Sequence, residues 1–362
     1  MGETYKILVI NPGSTSTKIG VFENMTPIKE LTLRHSAEQL APYGSIMGQL
    51  DFRRGIILDA LTGAGIDIAS LDVAIGRGGL LKPIPSGVYE VTDAVAEDLV
   101  NSPKEHASNL GGLLAREIAL QAGVKAYIAD PVVVDELDDV ARVTGLPWMH
   151  RVPVFHALNQ KAVARRYAGE AGRAYEDMNL IVAHLGGGIS IGAHRCGRVV
   201  DVNNCLDGEG PFSPERSESL PMGPFAEMCF SGDYTPDEVR KLIAGRGGLT
   251  AHFGTNNVAE LVKRAEGGDR WVRLVLAAMS WQVGKSIGAA AAVLHGRVDA
   301  VILTGGVAHN PMITDYIKAM TEFIAPVAVI PGEDELEALA SNALRLLRRE
   351  EHPKDYRILT TK

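Results

Sequence analysis

The strongest constraint on this chain is a strand–turn–strand unit that occurs twice. Residues 6–10 (KILVI) form an unbroken apolar run, NPGSTST at 11–17 interrupts it, and KIGVF at 18–22 resumes it. About 170 residues later NLIVA at 179–183 is broken by HLGGG at 184–188 and continued by ISIGA at 189–193. Short apolar runs without alternation read as strands buried on both faces, which requires helices on either side of the sheet. Two hairpins of one design, separated by mostly helical stretches, therefore predict a duplicated α/β domain. A third strand, AVIL at 300–303, leads through TGGVAHNP at 304–311 toward a helix.

Helical signals fill the intervals. Ser102-Pro103-Lys104-Glu105 reads as a capping box with proline at the first helical position, opening a helix that stops at Gly123. Residues 125–129 read as a strand ending in Asp130-Pro131, 159–167 as a basic-faced helix, 271–295 as a buried helix and 334–351 as the last long helix. With no flexible linker tract, the domain boundary is expected as a hinge near Asp130 and Pro131.

Charge narrows the function. Lys and Arg number 36 against 44 Asp and Glu, a net charge of −8, so no chain-wide cationic surface awaits nucleic acid or anionic lipid. The 271–295 stretch is interrupted by Arg273, Gln282 and Lys285 and fails as a membrane span. Three cysteines without a CxxC pattern and a polar first six residues fit a cytoplasmic protein. Any bound anion must be held by a local constellation, and glycine, 39 of 362 residues, supplies one. Gly13-Ser14-Thr15-Ser16-Thr17-Lys18 combines a flexible turn, four hydroxyls and an ammonium, the makings of a phosphate cradle. It lacks the Gly-Lys step of a P-loop, and a strand follows rather than a helix. His184, Leu185, Gly186, Gly187 and Gly188 end a strand with three residues that no side chain blocks, and Gly305, Gly306, Val307 and Asn310 form a turn flat enough for a planar ring.

These motifs resemble the acetokinase family, within the superfamily of acetate and sugar kinases, heat-shock ATPases and actin, along nearly the whole chain. Asn11 to Lys18 is similar to the first phosphate hairpin of that family, His184 to Gly188 to the second, and Gly305 to Asn310 to the adenosine loop. GEGPFSPER at 208–216 and PGEDELEAL at 331–339 are most similar to its butyrate kinase branch. The resemblance implies two ribonuclease-H-like (actin-like ATPase) domains with a nucleotide cleft between them: 1–132 plus 334–362 on the carboxylate and phosphate side, and 133–333 on the nucleotide side. It implies ATP/ADP and Mg²⁺ as cofactors, and a homodimer or higher oligomer.

The implied reaction is phosphoryl transfer from ATP to a short-chain carboxylate, giving an acyl phosphate and ADP. A carboxylate is already ionised at neutral pH, so the obstacle is charge rather than deprotonation. Each pair of like unit charges at about 4 Å and an effective dielectric near 20 costs roughly 4 kcal/mol. Cations must therefore surround the transferring group. The family resemblance assigns Arg77 to the carboxylate, His156 to the transition state, Asp130 to orientation of the metal or the reacting groups, Lys18 to the phosphates, and Asn11 and Asp334 to the surroundings of Mg²⁺. Glu333 and Glu335 compete with Asp334 within the same acidic run. Acetate kinases carry an arginine before Ser-Gly-Asp where this chain has Phe230, and Arg216 is expected to replace it. They also carry a bulky apolar residue two positions beyond the substrate arginine, where this chain has Gly79. The missing side chain, with Phe155, Pro214 and Leu110 as lining, is expected to admit a butyrate-sized acid. The alternatives are an acetate, propionate or branched-chain carboxylate kinase, a hydroxyl (sugar) kinase using Asp130 as base, and a non-catalytic ATP-binding scaffold.

Overall fold

The computed structural model describes residues 3–102 and 105–359. Pro103 and Lys104, the centre of the expected capping box, lie outside them. The chain divides into two compact units, Met1–Asp135 with Asp334–Lys362, and Glu136–Glu333.

The first unit is built on a six-stranded sheet. Its strands are β1 (Lys6–Pro12), β2 (Ser16–Glu23), β3 (Thr26–Arg34), β4 (Val73–Arg77), β5 (Val88–Glu90) and β6 (Lys125–Ala129), in the order β3-β2-β1-β4-β6-β5. β1, β2 and β3 form an antiparallel meander, whereas β1, β4 and β6 run parallel. Ile7 to Ile10 are completely buried, as the uninterrupted apolar run requires. Helices Leu50–Gly63 and Asn109–Ala122 supply Ile57, Leu61, Leu110, Leu114 and Ile118 to the core. The second of these begins at Asn109, after the N-cap Ser108, and not at the Ser102 box. It ends at Gly123, whose φ of 73° is the left-handed stop that the sequence marks. Helix Glu335–Leu347 returns to this unit and packs on β1 and β4 through Ala338, Leu339, Ala340, Ala343 and Leu344.

The second unit repeats the design. Strands β7 (Asn179–Leu185), β8 (Ile189–Arg195), β9 (Arg198–Val202), β10 (Ala300–Gly305) and β11 (Val327–Pro331) are ordered β11-β10-β7-β8-β9. Again a three-strand antiparallel meander is followed by parallel strands, with β7 standing where β1 stands and β10 where β4 stands. Helix Arg270–Val293 covers the sheet with Val272, Val275, Leu276, Met279, Val283 and Ile287. It is buried along one stripe only, because Trp271, Leu274 and Trp281 are exposed. Helix Ala157–Glu170 is basic in composition, yet its Lys161 is buried and ion-paired with Glu136 at 2.6 Å. No helix of the described residues is long and apolar enough to cross a membrane.

Candidate functional site

In the first unit the β1–β2 hairpin pairs Asn11 with Lys18 and Pro12 with Thr17, and the Gly13 amide donates to Ser16 O at 2.7 Å to close the turn. Ser14, Thr15 and Lys18 are exposed. Beneath the turn lies Arg53, from helix Leu50–Gly63, with no exposed surface. Its Nη1 donates to Gly13 O at 2.8 Å, Ser16 O at 3.2 Å and Thr17 Oγ1 at 3.1 Å, and its Nη2 to Ser14 O at 2.9 Å. Gln49 Oε1 accepts from Nε and Nη2 at 3.0 and 2.8 Å. Burying a guanidinium costs several kcal/mol, and hydrogen bonds from a charged donor return about 1.5–3 kcal/mol each. Six such bonds to these acceptors outweigh the cost and keep Arg53 inside. On the other side of Thr17, His35 Nε2 lies 2.9 Å from Oγ1, and burial and the Arg53 charge both lower the His35 pKa.

Arg77, at the end of β4, sits 3.0 Å from Glu335 Oε1 and 3.4 Å from Asn11 Oδ1, while Asn11 Nδ2 donates to Glu335 Oε2. Of the acidic residues at 333–335, it is Glu335 that contacts Asn11 and Arg77. Asp334 is the exposed residue preceding helix Glu335–Leu347, and the first turn of that helix delivers Glu335 to Asn11 and Arg77. Among the described residues no three His, Cys, Asp or Glu side chains converge as a metal cluster. Asn11 and Glu335 offer the oxygen donors that Mg²⁺ takes when one or two protein groups and substrate phosphates share it.

Asp130 is buried and holds a φ of 39°, left-handed and unfavourable for a residue with a side chain. Its Oδ1 accepts from Ser86 Oγ at 2.5 Å and from the Gly87 amide at 2.9 Å, which ties it to the segment before β5. Gly79 answers differently from expectation. A Cβ built there would lie 2.6 Å from Asn109 Cα and 2.4 Å from its Oδ1. The space left by the missing side chain is already filled by the start of helix Asn109–Ala122, so Gly79 opens no room for substrate. Leu110 is buried in the core beside it.

In the second unit the turn after β7 closes through the Gly186 amide to Gly188 O at 3.1 Å, and Ser213 Oγ and the Glu215 amide donate to Gly187 O. A Cβ on Gly188 would fall 1.9 Å from Arg216 Nη1, so the guanidinium lies directly against the turn. Arg216 also donates to Cys205 O. His156, which precedes helix Ala157–Glu170, stacks on His184 with ring centroids 3.7 Å apart and planes 11° from parallel. His156 Nδ1 lies 2.9 Å from Ser190 Oγ, and His184 Nδ1 lies 2.8 Å from Asn159 Oδ1. His184 Nε2 is 3.1 Å from Glu333 Oε1, but outside hydrogen-bonding direction. Cys205 Sγ approaches His156 Nδ1 at 3.8 Å, and burial pushes its thiol up to about 11, so it remains a protonated core residue rather than a nucleophile. Phe155 and Pro214 are buried here, whereas Phe230 is almost fully exposed.

Glu218, which the sequence did not single out, is buried, has a φ of 49°, and places neither carboxylate oxygen in a hydrogen bond among the described residues. Burial pushes its carboxyl up to about 8 against the pull of Arg216 and the Gly208 amide.

The third turn begins at Gly305, whose φ is 90° and whose amide and carbonyl pair with Gly332 at 3.1 Å. Gly306 is exposed, Val307 is buried, and Asn310 Nδ2 donates to Val307 O before helix Pro311–Thr321.

Each unit thus has a β-hairpin turn with an arginine against it. Residues 149–324 match the model of the acetokinase family, and the chain carries an acetokinase-family domain. The fold agrees with the crystal structure of Porphyromonas gingivalis acetate kinase at TM-score 0.77 and 20% identity, over 95% of this chain and 100% of that one. A propionate kinase from Francisella tularensis matches at 0.74 and 17% identity, over 93% and 98% of the two chains. Entamoeba histolytica acetate kinase matches at 0.73 and 15%, over 92% and 97%.

Proposed function

We propose that the protein transfers the terminal phosphoryl group of ATP to a short-chain carboxylate, butyrate by preference, forming an acyl phosphate and ADP reversibly. The observation that carries this reading over hydroxyl phosphorylation is Asp130. A hydroxyl acceptor needs a general base, and Asp130 is buried and already bonded to Ser86 and Gly87. A carboxylate acceptor needs none, and its demand for cations is met by Arg77, Arg216 and Lys18. In this reading Arg77 holds the acceptor carboxylate, with Glu335 and Asn11 fixing its guanidinium. Lys18 and the turn at Gly13, Ser14, Thr15 and Ser16 hold phosphate oxygens, as does the turn from His184 to Gly188. Gly305, Gly306, Val307 and Asn310 bear the adenosine. Arg216 and His156 meet the charge that grows on the phosphoryl oxygens, the His156 ring being held by His184 and Ser190. Asp130 orients the segment leading to β5. Asn11 and Glu335, with Asp334 nearby, would hold Mg²⁺, which supplies charge neutralisation on the phosphates when bound.

The preference for butyrate rests on the branch-like segments 208–216 and 331–339, with Phe155 and Pro214 as pocket lining; Gly79 no longer supports it. A cytoplasmic homodimer completes the proposal, consistent with three free cysteines and with exposed Trp271, Leu274 and Trp281. Light scattering of the purified protein tests the dimer. Hydroxylamine trapping with ATP and Mg²⁺ over acetate, propionate, butyrate, isobutyrate and valerate, with glucose and glycerol as hydroxyl controls, tests the reaction. Hydroxamate is expected with the acids, highest kcat/KM with butyrate, and no ADP release with the alcohols; ADP release with an alcohol alone would overturn the carboxylate reading.

A further inference from the structure

We propose that Arg53 is a positioning residue for nucleotide phosphates, acting through the turn it supports and through a buried charge that no carboxylate neutralises. The inference rests on the reading of Gly13 to Lys18 as a phosphate turn. Its first ground is peptide geometry. In a trans peptide the carbonyl of one residue and the amide of the next point in opposite directions. Arg53 draws the carbonyls of Gly13 and Ser14 inward, at 2.8 and 2.9 Å. The amides of Ser14 and Thr15 must then point away from it, toward the side on which these two residues are exposed. A turn with its acceptors tied below and its donors presented above is organised for an anion before any anion arrives.

The second ground is charge. Every acceptor of Arg53 among the described residues is neutral: three backbone carbonyls, the Thr17 hydroxyl and the Gln49 amide. No carboxylate lies within ion-pairing distance among the described residues, and the adjoining titratable group, His35, is biased toward its neutral form by burial and by Arg53 itself. The neighbouring Arg54 faces outward, where it pairs with Asp51 and Glu117. A buried cation balanced only by dipoles favours an anion on the far side of those dipoles, and it is screened less by salt than a surface lysine. Gln49, one turn before Arg53 on the same side, completes the device by fixing Nε and Nη2 so that Nη1 aims at the turn.

Calorimetric titration of wild type, Arg53→Gln and Gln49→Ala with ATP, ADP and adenosine tests this. Arg53→Gln is expected to weaken ATP and ADP about tenfold to thirtyfold while adenosine stays within about twofold, and to raise KM for ATP more than it lowers kcat. Gln49→Ala, which frees the guanidinium without removing it, is expected to lose about threefold to tenfold on the same two nucleotides, and it decides the question if Arg53→Gln does not fold. An unchanged ratio of ATP to adenosine affinity in a folded variant overturns the proposal, leaving Arg53 as a core residue. A wild type that binds ATP no better than adenosine removes the phosphate-turn reading and this one together. Failure to form hydroxamate with any acid would remove the carboxylate reading alone.

Discussion

The two turns are built on the same hairpin and use an arginine in opposite ways. Arg53 lies under the first turn, wholly buried, and bonds its carbonyls. Arg216 lies against the second, partly exposed, with its guanidinium in the volume a Gly188 side chain would need. The glycines differ accordingly. A Cβ on Gly13 would meet nothing closer than Ser16 O and Oγ at 3.6 Å, an ordinary contact, whereas one on Gly188 would strike Arg216 Nη1 at 1.9 Å. A cation that shapes a binding surface can be buried and saturated with neutral acceptors. One that meets charge developing during a reaction has to stay near the surface of its turn.

The largest expected effect separates these roles. Arg216→Ala should lower kcat about 10²- to 10³-fold with little change in ATP affinity, the reverse of the split expected at Arg53. Near-normal turnover would remove Arg216 from the transition state. Gly188→Ala should push the guanidinium aside and cost about 10- to 100-fold in kcat without unfolding, which circular dichroism and steady-state kinetics resolve together. Glu218 sharpens the contrast, since the first turn has no buried acid described beside it. Its carboxyl is raised in the folded protein, from 4.5 to about 8, so the folded state holds the proton more tightly than the unfolded chain. Stability attributable to Glu218 is full below about pH 4.5 and declines as pH rises toward 8. Glu218→Gln should therefore gain on wild type across that interval, by on the order of 5 kcal/mol at most, in urea melts at a series of pH values. Equal pH slopes for the two proteins would show that the acid is solvated. The smallest effect is expected at Gly13→Ala, within about 0.5 kcal/mol in stability and about threefold in KM for ATP, since the added methyl meets only ordinary contacts.

Much of this was legible in the chain. The apolar runs at 6–10 and 179–183 and their polar or glycine turns locate β1, β2, β7 and β8 because a doubly covered strand leaves an unbroken pattern. What escaped depended on partners distant in sequence. Gly79 reads as an empty space until Asn109, 30 positions later, is seen to occupy it. Glu333, Asp334 and Glu335 are chemically alike, and only the start of the following helix selects Glu335 for Asn11 and Arg77. Helix Asn109–Ala122 starts after Ser108, which makes no side-chain cap bond, so the chain carries a weaker start signal there than at the Ser102 box. Arg53 did leave a trace. It shares the apolar stripe of its helix with Ile57 and Leu61, four and eight positions on, and a charged residue on such a stripe is rarely buried without a task.

The first unit is synthesised in two instalments. Its sheet leaves the ribosome without helix Glu335–Leu347, which must wait until residues 136–333 have been made. At about 5–20 residues per second that delay is about 10–40 s, during which one side of β1 and β4 has no cover from that helix. The last instalment also brings Glu335, the partner of Arg77. The pairing of Arg77 with Glu335 is therefore among the last contacts the chain can make as it is synthesised.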